Sequence, residues 1–359
     1  MQLRHTPKGG FPTMESQDSS QEKLAPNSDL EPSLEEWMAT VDSLQQQIEP
    51  ILREAYPNKR GRPSYPTLSM FKAYLCRIRI PSLRQLHKRL TKDMRLLALT
   101  GLCRAPTHQT FSNFLIRLGY ERLLRILILL VRALKRVHPS LGKHLSIDGT
   151  VVKSFARRNR GFLSRADPDA RLGFKEIKSG GKPDFEFGYR ATIACDTDLE
   201  VPVAFAITPA NTNESRLMLR ILRQAKEQGI AFEYVIADKA YDSRLNHAII
   251  LSHKAIPIIP MNPRRSKIAK ETGRRPSDVL LPIRRNSERW RELYAKRSAS
   301  ERLFSSLKEH GGFRTLKTRR LNRVSSYLTL CMIGKLLAAL SAIRLGRNDL
   351  TRSMLVWSY

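Results

Sequence analysis

Two apolar runs in the sequence climb to a single aspartate: HLSIDGT reaches Asp148 and YVIADKAYDS reaches Asp238. Ending a buried strand on a carboxylate costs several kcal/mol of desolvation unless a cation or a hydrogen-bond donor meets it. One such residue reads as a cap; two in the same sheet read as a pair with a task. A third acid, Glu301, lies in ELYAKRSASERLFSSLKEHGGFR, where Tyr294, Arg297, Glu301 and Lys308 fall at offsets of 0, 3, 7 and 14. At about 100° per residue these four share an arc of roughly 60° along one margin of the apolar face made by Leu303, Phe304 and Leu307. A solvated face would be polar as well, but an acid flanked by two bases and a phenol is the set that holds a metal ion and a phosphodiester together. Asp148, Asp238 and Glu301 provide only hard oxygen ligands, which suit Mg²⁺ or Mn²⁺ and leave positions for water and phosphate oxygens. Two such ions about 4 Å apart activate an attacking oxygen and stabilise a leaving one. Arg297 would meet phosphate with its bidentate fork and Lys308 as a point charge.

The elements that must carry these residues follow from the patterning. KHLSIDGT (143–150), YRATIACD (189–196), VPVAFAITP (201–209), FEYVIADK (232–239) and AIPIIP (255–260) read as strands. Helices are expected over 213–228 and 242–253, with Asp242 as the N-cap of the second, and from Glu292 to His310 as one element. Three strands followed by alternating helices and strands make a mixed α/β sheet. Asp196 and Asp198 sit where turn-forming acids are common. Upstream, Leu34, Trp37, Met38, Val41, Leu44, Ile48 and Leu52 recur at helical spacing, predicting one helix from Ser33 to Glu54 with a Ser33/Glu36 capping box. SLRQLHKRLT and THQTFSNFLIRL read either as a structural helical subdomain or as a helix-turn-helix-like pair, the second helix capped by Thr107 or Thr110, with His108, Gln109, Asn113 and Arg117 available to face a DNA groove.

Charge names the class of partner. The 359 residues carry 63 Lys+Arg against 33 Asp+Glu, a formal +30, which asks for a polyanion. The excess is uneven, since residues 1–60 hold ten acids against six bases. Basic pairs at 157–158, 264–265, 274–275, 284–285 and 319–320 are expected to meet phosphate, and Trp290 either stacks on a base or lies buried under its helix. Cys76, Cys103, Cys195 and Cys331 form no CxxC pair, so neither a disulfide framework nor a zinc ribbon is suggested, and a reducing cytoplasm fits. No signal peptide opens the chain. The apolar stretches 123–137 and 327–343 carry internal Arg or Lys and read as core helices, so no membrane is expected.

On these residues the sequence resembles the DDE transposases of prokaryotic insertion sequences, families four and five. Tyr294-x2-Arg297-x3-Glu301-x6-Lys308 matches their Tyr-Arg-Glu-Lys signature, and SIDGT, IADKAYDS and ITPANTNES look like their corresponding blocks. The likeness covers about residues 60–345. It implies an α/β fold with a ribonuclease-H-like mixed sheet, preceded by an all-α helix-turn-helix-like DNA-binding domain. It further implies a triad of Asp148, Asp238 and Glu301 holding two Mg²⁺ or Mn²⁺. Tyr294, Arg297 and Lys308 would lie on phosphate, and Asn211 and Glu214 would touch the ion or the DNA. The activity implied is metal-dependent cleavage at the element's ends and strand transfer into target DNA. The partners would be double-stranded terminal inverted repeats and target DNA, engaged by a homodimer or larger assembly at the nucleoid. A domesticated or inactive DNA-binding regulator and a stand-alone nuclease on the same fold are the competing readings. The expected organisation is a disordered tail over 1–32, a helical DNA-binding domain over 33–139, a catalytic domain over 140–345 with a basic insertion at about 261–290, and a C-terminal tail over 346–359.

Overall fold

The computed structural model describes residues 33–56, 64–156, 164–177, 181, 183–263, 271 and 281–354. The tail expected over 1–32, the basic pairs at 157–158, 264–265 and 274–275, and most of the insertion lie outside them.

Helices come first: α1 (Leu34–Ser43), α2 (Gln45–Arg53), α3 (Thr67–Leu75), α4 (Leu83–Lys92), α5 (Met94–Leu99) and α6 (His108–Val137). Ser33 caps α1 in the expected capping box with Glu36. The single helix expected from Ser33 to Glu54 is two, because the Ser43 hydroxyl takes the Thr40 carbonyl and Leu44 leaves helical geometry at φ −105°, ψ 9°. Thr107 caps α6 through the Thr110 amide. That helix bends at Gly119, whose φ of 67° is left-handed and strained for any residue with a Cβ.

The sheet follows: β1 (His144–Lys153), β2 (Arg171–Ile177), β3 (Pro183–Asp196), β4 (Pro202–Pro209), β5 (Tyr234–Ala237) and β6 (Ile256–Ile258). All five expected strands are present, and β2 is an addition that pairs with the first half of β3. Strands run β4-β3-β1-β5-β6; the first three are antiparallel, and β5 and β6 are parallel to β1 and to each other. This mixed order is that of a ribonuclease-H-like sheet.

Between β4 and β5 lies α7 (Met218–Glu227), and α8 (Arg244–Ser252) links β5 to β6. Ser243, not Asp242, caps α8 by accepting from the Asn246 amide. The Asp242 carboxylate is buried instead, taking Arg285 Nη2 at 2.9 Å, His247 Nε2 at 3.1 Å and the Asn262 amide at 2.7 Å. After β6 come α9 (Glu288–Ala295), α10 (Ser298–Glu309) and α11 (Leu321–Arg344).

Among the described residues α11 alone is long and apolar enough to cross a membrane, and 94% of its apolar window is buried inside the protein. It packs on α1, α6 and β4, so helices and sheet share one hydrophobic core. Each fully buried Leu or Ile there contributes roughly 1.5–3 kcal/mol. Two polar side chains of α11 find partners there: Ser341 Oγ meets Thr40 Oγ1 at 2.8 Å, and Lys335 Nζ donates to the Thr351 carbonyl at 3.2 Å. Burial still pushes the Lys335 ammonium down to about 8. The second expected core helix, 123–137, is the buried second part of α6.

Candidate active site

Strand register puts the two aspartates side by side. Ile147 of β1 pairs in parallel with Ala237 of β5, and the next residue on each strand is Asp148 or Asp238. Each takes a nearby amide: Asp148 Oδ1 accepts from Gly149 at 2.8 Å, and Asp238 Oδ1 from Ala240 at 2.8 Å, opening the turn Lys239–Tyr241. Burial pushes the Asp148 carboxyl up to about 6, offset by the Gly149 amide and reinforced by the charges of Glu214 and Asp238. A desolvated carboxylate at Asp148 with other acids close by is unfavourable in the protein alone.

The helix carrying Glu301 is not one continuous element. The chain tightens at Lys296 and Arg297 between α9 and α10, because Ser298 Oγ donates to the Ala295 carbonyl at 3.0 Å and Ser300 Oγ to the Arg297 carbonyl at 2.8 Å. The arc of four residues is therefore divided, with Tyr294 on α9, Arg297 at the joint, and Glu301 and Lys308 on α10. The joint is pinned to the sheet by Ser300 Oγ, 3.0 Å from Ser146 Oγ, and Ser146 lies on the same face of β1 as Asp148. Arg297 Nη1 consequently reaches Asp148 Oδ2 at 3.4 Å, while Nη2 pairs with Glu301. Glu301 is 56% exposed and Asp148 only 19%. Lys308 is half-buried in the last turn of α10, about 10 Å further along the axis. Trp290 is buried, stacked on Tyr294 at 4.8 Å between ring centroids, and not open to a base.

Sequence reasoning set Asn211 and Glu214 together; the structure separates them. Asn211 is exposed in the turn after β4. Glu214 turns inward, and its carboxylate lies over Gly149 so closely that a Cβ there would meet Glu214 Oε2 at 1.8 Å. Only glycine beside Asp148 admits it. Arg190 of β3 holds Glu214 Oε2 at 3.1 Å and reaches back to the Phe174 carbonyl of β2 at 2.9 Å. Around this carboxylate two fully buried hydroxyls, Thr192 Oγ1 and Tyr241 Oη, have no hydrogen-bond partner among the described residues. Burial, then the charges of Glu214, Asp148 and Asp238, push the Tyr241 phenol well above its ordinary value, so it remains a donor. Arg190, Thr192 and Tyr241 escaped the sequence reading; the one signal was a lone cation inside the apolar run YRATIACD. Asp196 behaves as the expected turn former, taking the amides of Gly142, Asp198 and Leu199. Among the described residues no three His, Cys, Asp or Glu side chains are grouped so that they could hold a metal ion as they stand.

Away from the acids, His108, Gln109, Asn113 and Arg117 are exposed on the first part of α6. Gln109 Nε2 donates to Asn113 Oδ1 at 3.2 Å, and the Arg117 guanidinium lies 5.1 Å over the Tyr56 ring. Nearby, α4 borders a cavity of about 610 Å³ lined by Arg79, Gln85, Lys88, Arg89 and Lys92.

Comparison with known proteins yields a family model described as a transposase DDE domain, matching residues 139–334, and another described as a transposase domain, matching 19–117. In two strains of Halobacterium salinarum, the protein named "Probable transposase for insertion sequence element ISH11" is 27% identical over 170 residues. That match takes 46% of this chain and 50% of the relative, so the chain spans about half the length of the curated relatives it matches. Among solved structures, a piggyBac transposase synaptic complex with hairpin DNA aligns at TM-score 0.43 and 12% identity over 91% of this chain and 80% of that one. A Mos1 transposase paired-end complex aligns at 0.19 and 12% over 76% and 96%. These two likenesses are too distant to add to the strand order.

Proposed function

The chain belongs to the family defined by the transposase DDE domain, and on that premise we propose that it is a DNA transposase that cuts the ends of its element and joins the freed ends to target DNA. The observation that carries this reading is the pair Asp148 and Asp238 at the ends of adjacent parallel strand segments, with Arg297 and Glu301 brought against them by the α9–α10 joint.

The donor set fits divalent cations. Its oxygens are hard, Asp148 is crowded by like charges, and two buried hydroxyls beside it lack partners among the described residues. Asp148, Asp238 and Glu301 would hold two Mg²⁺ or Mn²⁺. Such ions supply Lewis-acid stabilisation of both the attacking and the leaving oxygen of a phosphodiester.

The chain's own residues do the rest. Arg297, already clamped between Asp148 and Glu301, is positioned to give one edge of its guanidinium to a phosphate while the other steers Glu301. Lys308 adds a second positive charge along the groove, and Tyr294, braced on Trp290, fixes the direction of Arg297. In the first step water forms a new P–O bond as the P–O3′ bond at the element's end breaks, and the leaving 3′-oxygen takes up a proton. In the second that 3′-hydroxyl attacks a target phosphodiester, losing its proton and expelling another 3′-oxygen. His108, Gln109, Asn113 and Arg117 form a surface for the terminal inverted repeats, in a homodimer or larger assembly. The +30 charge retains both DNA partners near the acids.

The test is a cleavage and strand-transfer assay on DNA bearing the element's ends, with Mg²⁺. Wild type should nick and join, whereas Asp148→Asn, Asp238→Asn and Glu301→Gln should bind the ends and do neither. Cutting without joining would leave a nuclease, and binding without cutting by wild type a regulator.

A further inference from the structure

We propose that Glu200, in the turn between β3 and β4, is a positioning residue that aims Arg297 through Arg302 and Ser298. The proposal rests on the reading of Asp148, Arg297 and Glu301 as parts of one active site, and it assigns the hold on their joint to a residue outside that site.

Three features carry it. First, the contacts form a chain that ends in the joint. Arg302 Nε donates to Glu200 Oε1 at 2.7 Å, and Arg302 Nη1 donates to Ser298 Oγ at 2.8 Å. With its oxygen occupied by Arg302, the Ser298 hydroxyl turns its proton to the Ala295 carbonyl, 3.0 Å away, and that bond tightens the chain at Lys296 and Arg297. Second, the same turn grips the chain on both sides of Arg297. Asp198 Oδ1 lies 3.6 Å from Lys296 Nζ and Glu200 holds Arg302, so Arg297 and Glu301 both fall between two anchors. The Ser300–Ser146 contact pins a single point, about which α10 is free to turn; a grip at each end of the span removes that freedom. The turn is itself fixed, because the buried Asp196 carboxylate takes the amides of Asp198 and Leu199. Third, Glu200 sits in a conformation that disfavours it. Its φ of 53° is left-handed, which glycine adopts without strain, and its side chain is only 5% exposed. What glutamate adds to this turn is a desolvated carboxylate, and Arg302, exposed on α10, is the cation drawn to it.

Arg352 approaches the same Glu200 oxygen at 3.4 Å while donating to the Asp198 carbonyl at 3.2 Å. The buried carboxylate therefore keeps a cation when Arg302 is removed. That makes Arg302 the residue at which positioning and folding come apart.

The experiment measures single-turnover cleavage and end-DNA affinity of the full chain on DNA bearing the element's ends, with Mg²⁺, and melting curves in EDTA. Wild type, Arg302→Gln, Glu200→Gln, Arg297→Ala and Asp148→Asn are compared, together with doubles that add Arg302→Gln or Glu200→Gln to Arg297→Ala. We expect Arg302→Gln to cut roughly tenfold more slowly with end-DNA affinity within about twofold of wild type, since the reacting groups are displaced and the DNA-binding surface is not. Its melting temperature should stay within about 3 °C of wild type, as for the loss of one exposed arginine. The loss of rate should vanish in the Arg297→Ala background, where nothing is left to aim. Glu200→Gln should behave in the same way, and Arg302→Gln decides the matter if Glu200→Gln does not fold. A wild-type rate in Arg302→Gln overturns the proposal, and so does an undiminished loss in the Arg297→Ala background, which marks a general weakening of the fold. In both cases an inactive Asp148→Asn leaves the proposed function standing, whereas full cutting by Asp148→Asn overturns both.

Discussion

The acids on the sheet and the acid on the helix are held in opposite ways. Asp148 and Asp238 are placed by strand register, each tied to a backbone amide, with Asp148 19% exposed and Asp238 half-buried. Glu301 is mostly exposed and is held by one arginine at a joint between two helices. The sheet thus carries a fixed pair whose Asp148 is electrostatically unfavourable, and the helix carries a carboxylate whose position depends on what Arg297 is doing. Rigidity and adaptability are assigned to different secondary structures within one site.

The largest expected effect tests the fixed half. Asp148→Asn or Asp238→Asn should lower end cleavage at least about a thousandfold while electrophoretic shifts of end DNA stay within a fewfold. Arg297→Ala should come next, with a loss of about a hundredfold in cleavage rate, because Glu301 and the phosphate lose their common tether. A rate within threefold of wild type would mean that Glu301 is positioned by something else.

Stability should split the two halves in sign. The Asp148 carboxyl titrates higher in the folded chain than in the unfolded one, so the ionised form costs stability above about pH 6. In EDTA at pH 7, Asp148→Asn should therefore raise stability by on the order of 2 kcal/mol. Glu301→Gln, which loses only an exposed pair, should change it by less than about 1 kcal/mol. Equal shifts in the two melting curves would erase the contrast. Gly149→Ala should cost about 1–3 kcal/mol, since its methyl group displaces Glu214.

The smallest effect lies outside the site. The Lys335 ammonium titrates at about 8 when folded and near 10.5 when unfolded. The unfolded chain therefore binds more protons in that window, and this residue's contribution to stability rises with pH between about 8 and 10.5. Lys335→Met should remove that part of the pH dependence, read as a flatter difference curve of melting temperature against wild type.

The two aspartates were legible because a lone acid rarely follows an apolar run unless it has a charge to meet, and five of the six strands because they are short β-favouring runs bounded by turn residues. β2 was not, since LGFKEI breaks any alternation with Gly173 and with adjacent charges at Lys175 and Glu176, and it becomes a strand only by pairing with β3. The breaks at Leu44 and at Lys296–Arg297 arise from serine hydroxyls taking carbonyls, a choice that helical periodicity does not record. Glu214 and Asn211 sit three residues apart in one turn, and spacing alone does not say which of them faces inward. Asp242 reads as a cap because a helix follows it, yet its carboxylate meets His247 of α8, Asn262 and Arg285, the last two more than fifteen residues away.

The buried helix Leu321–Arg344 also governs how the protein comes into being. It fills the space between α1, α6 and β4, and it is made after all three of them. Until then the apolar faces of the earlier helices and of the sheet have nothing to close on, and chains in that condition aggregate or are degraded. A copy interrupted by a stop codon anywhere before Leu321 should accordingly leave no soluble DNA-binding fragment to compete with an intact one. Loss of the segment Leu321–Arg344 alone would silence both halves of the protein at once.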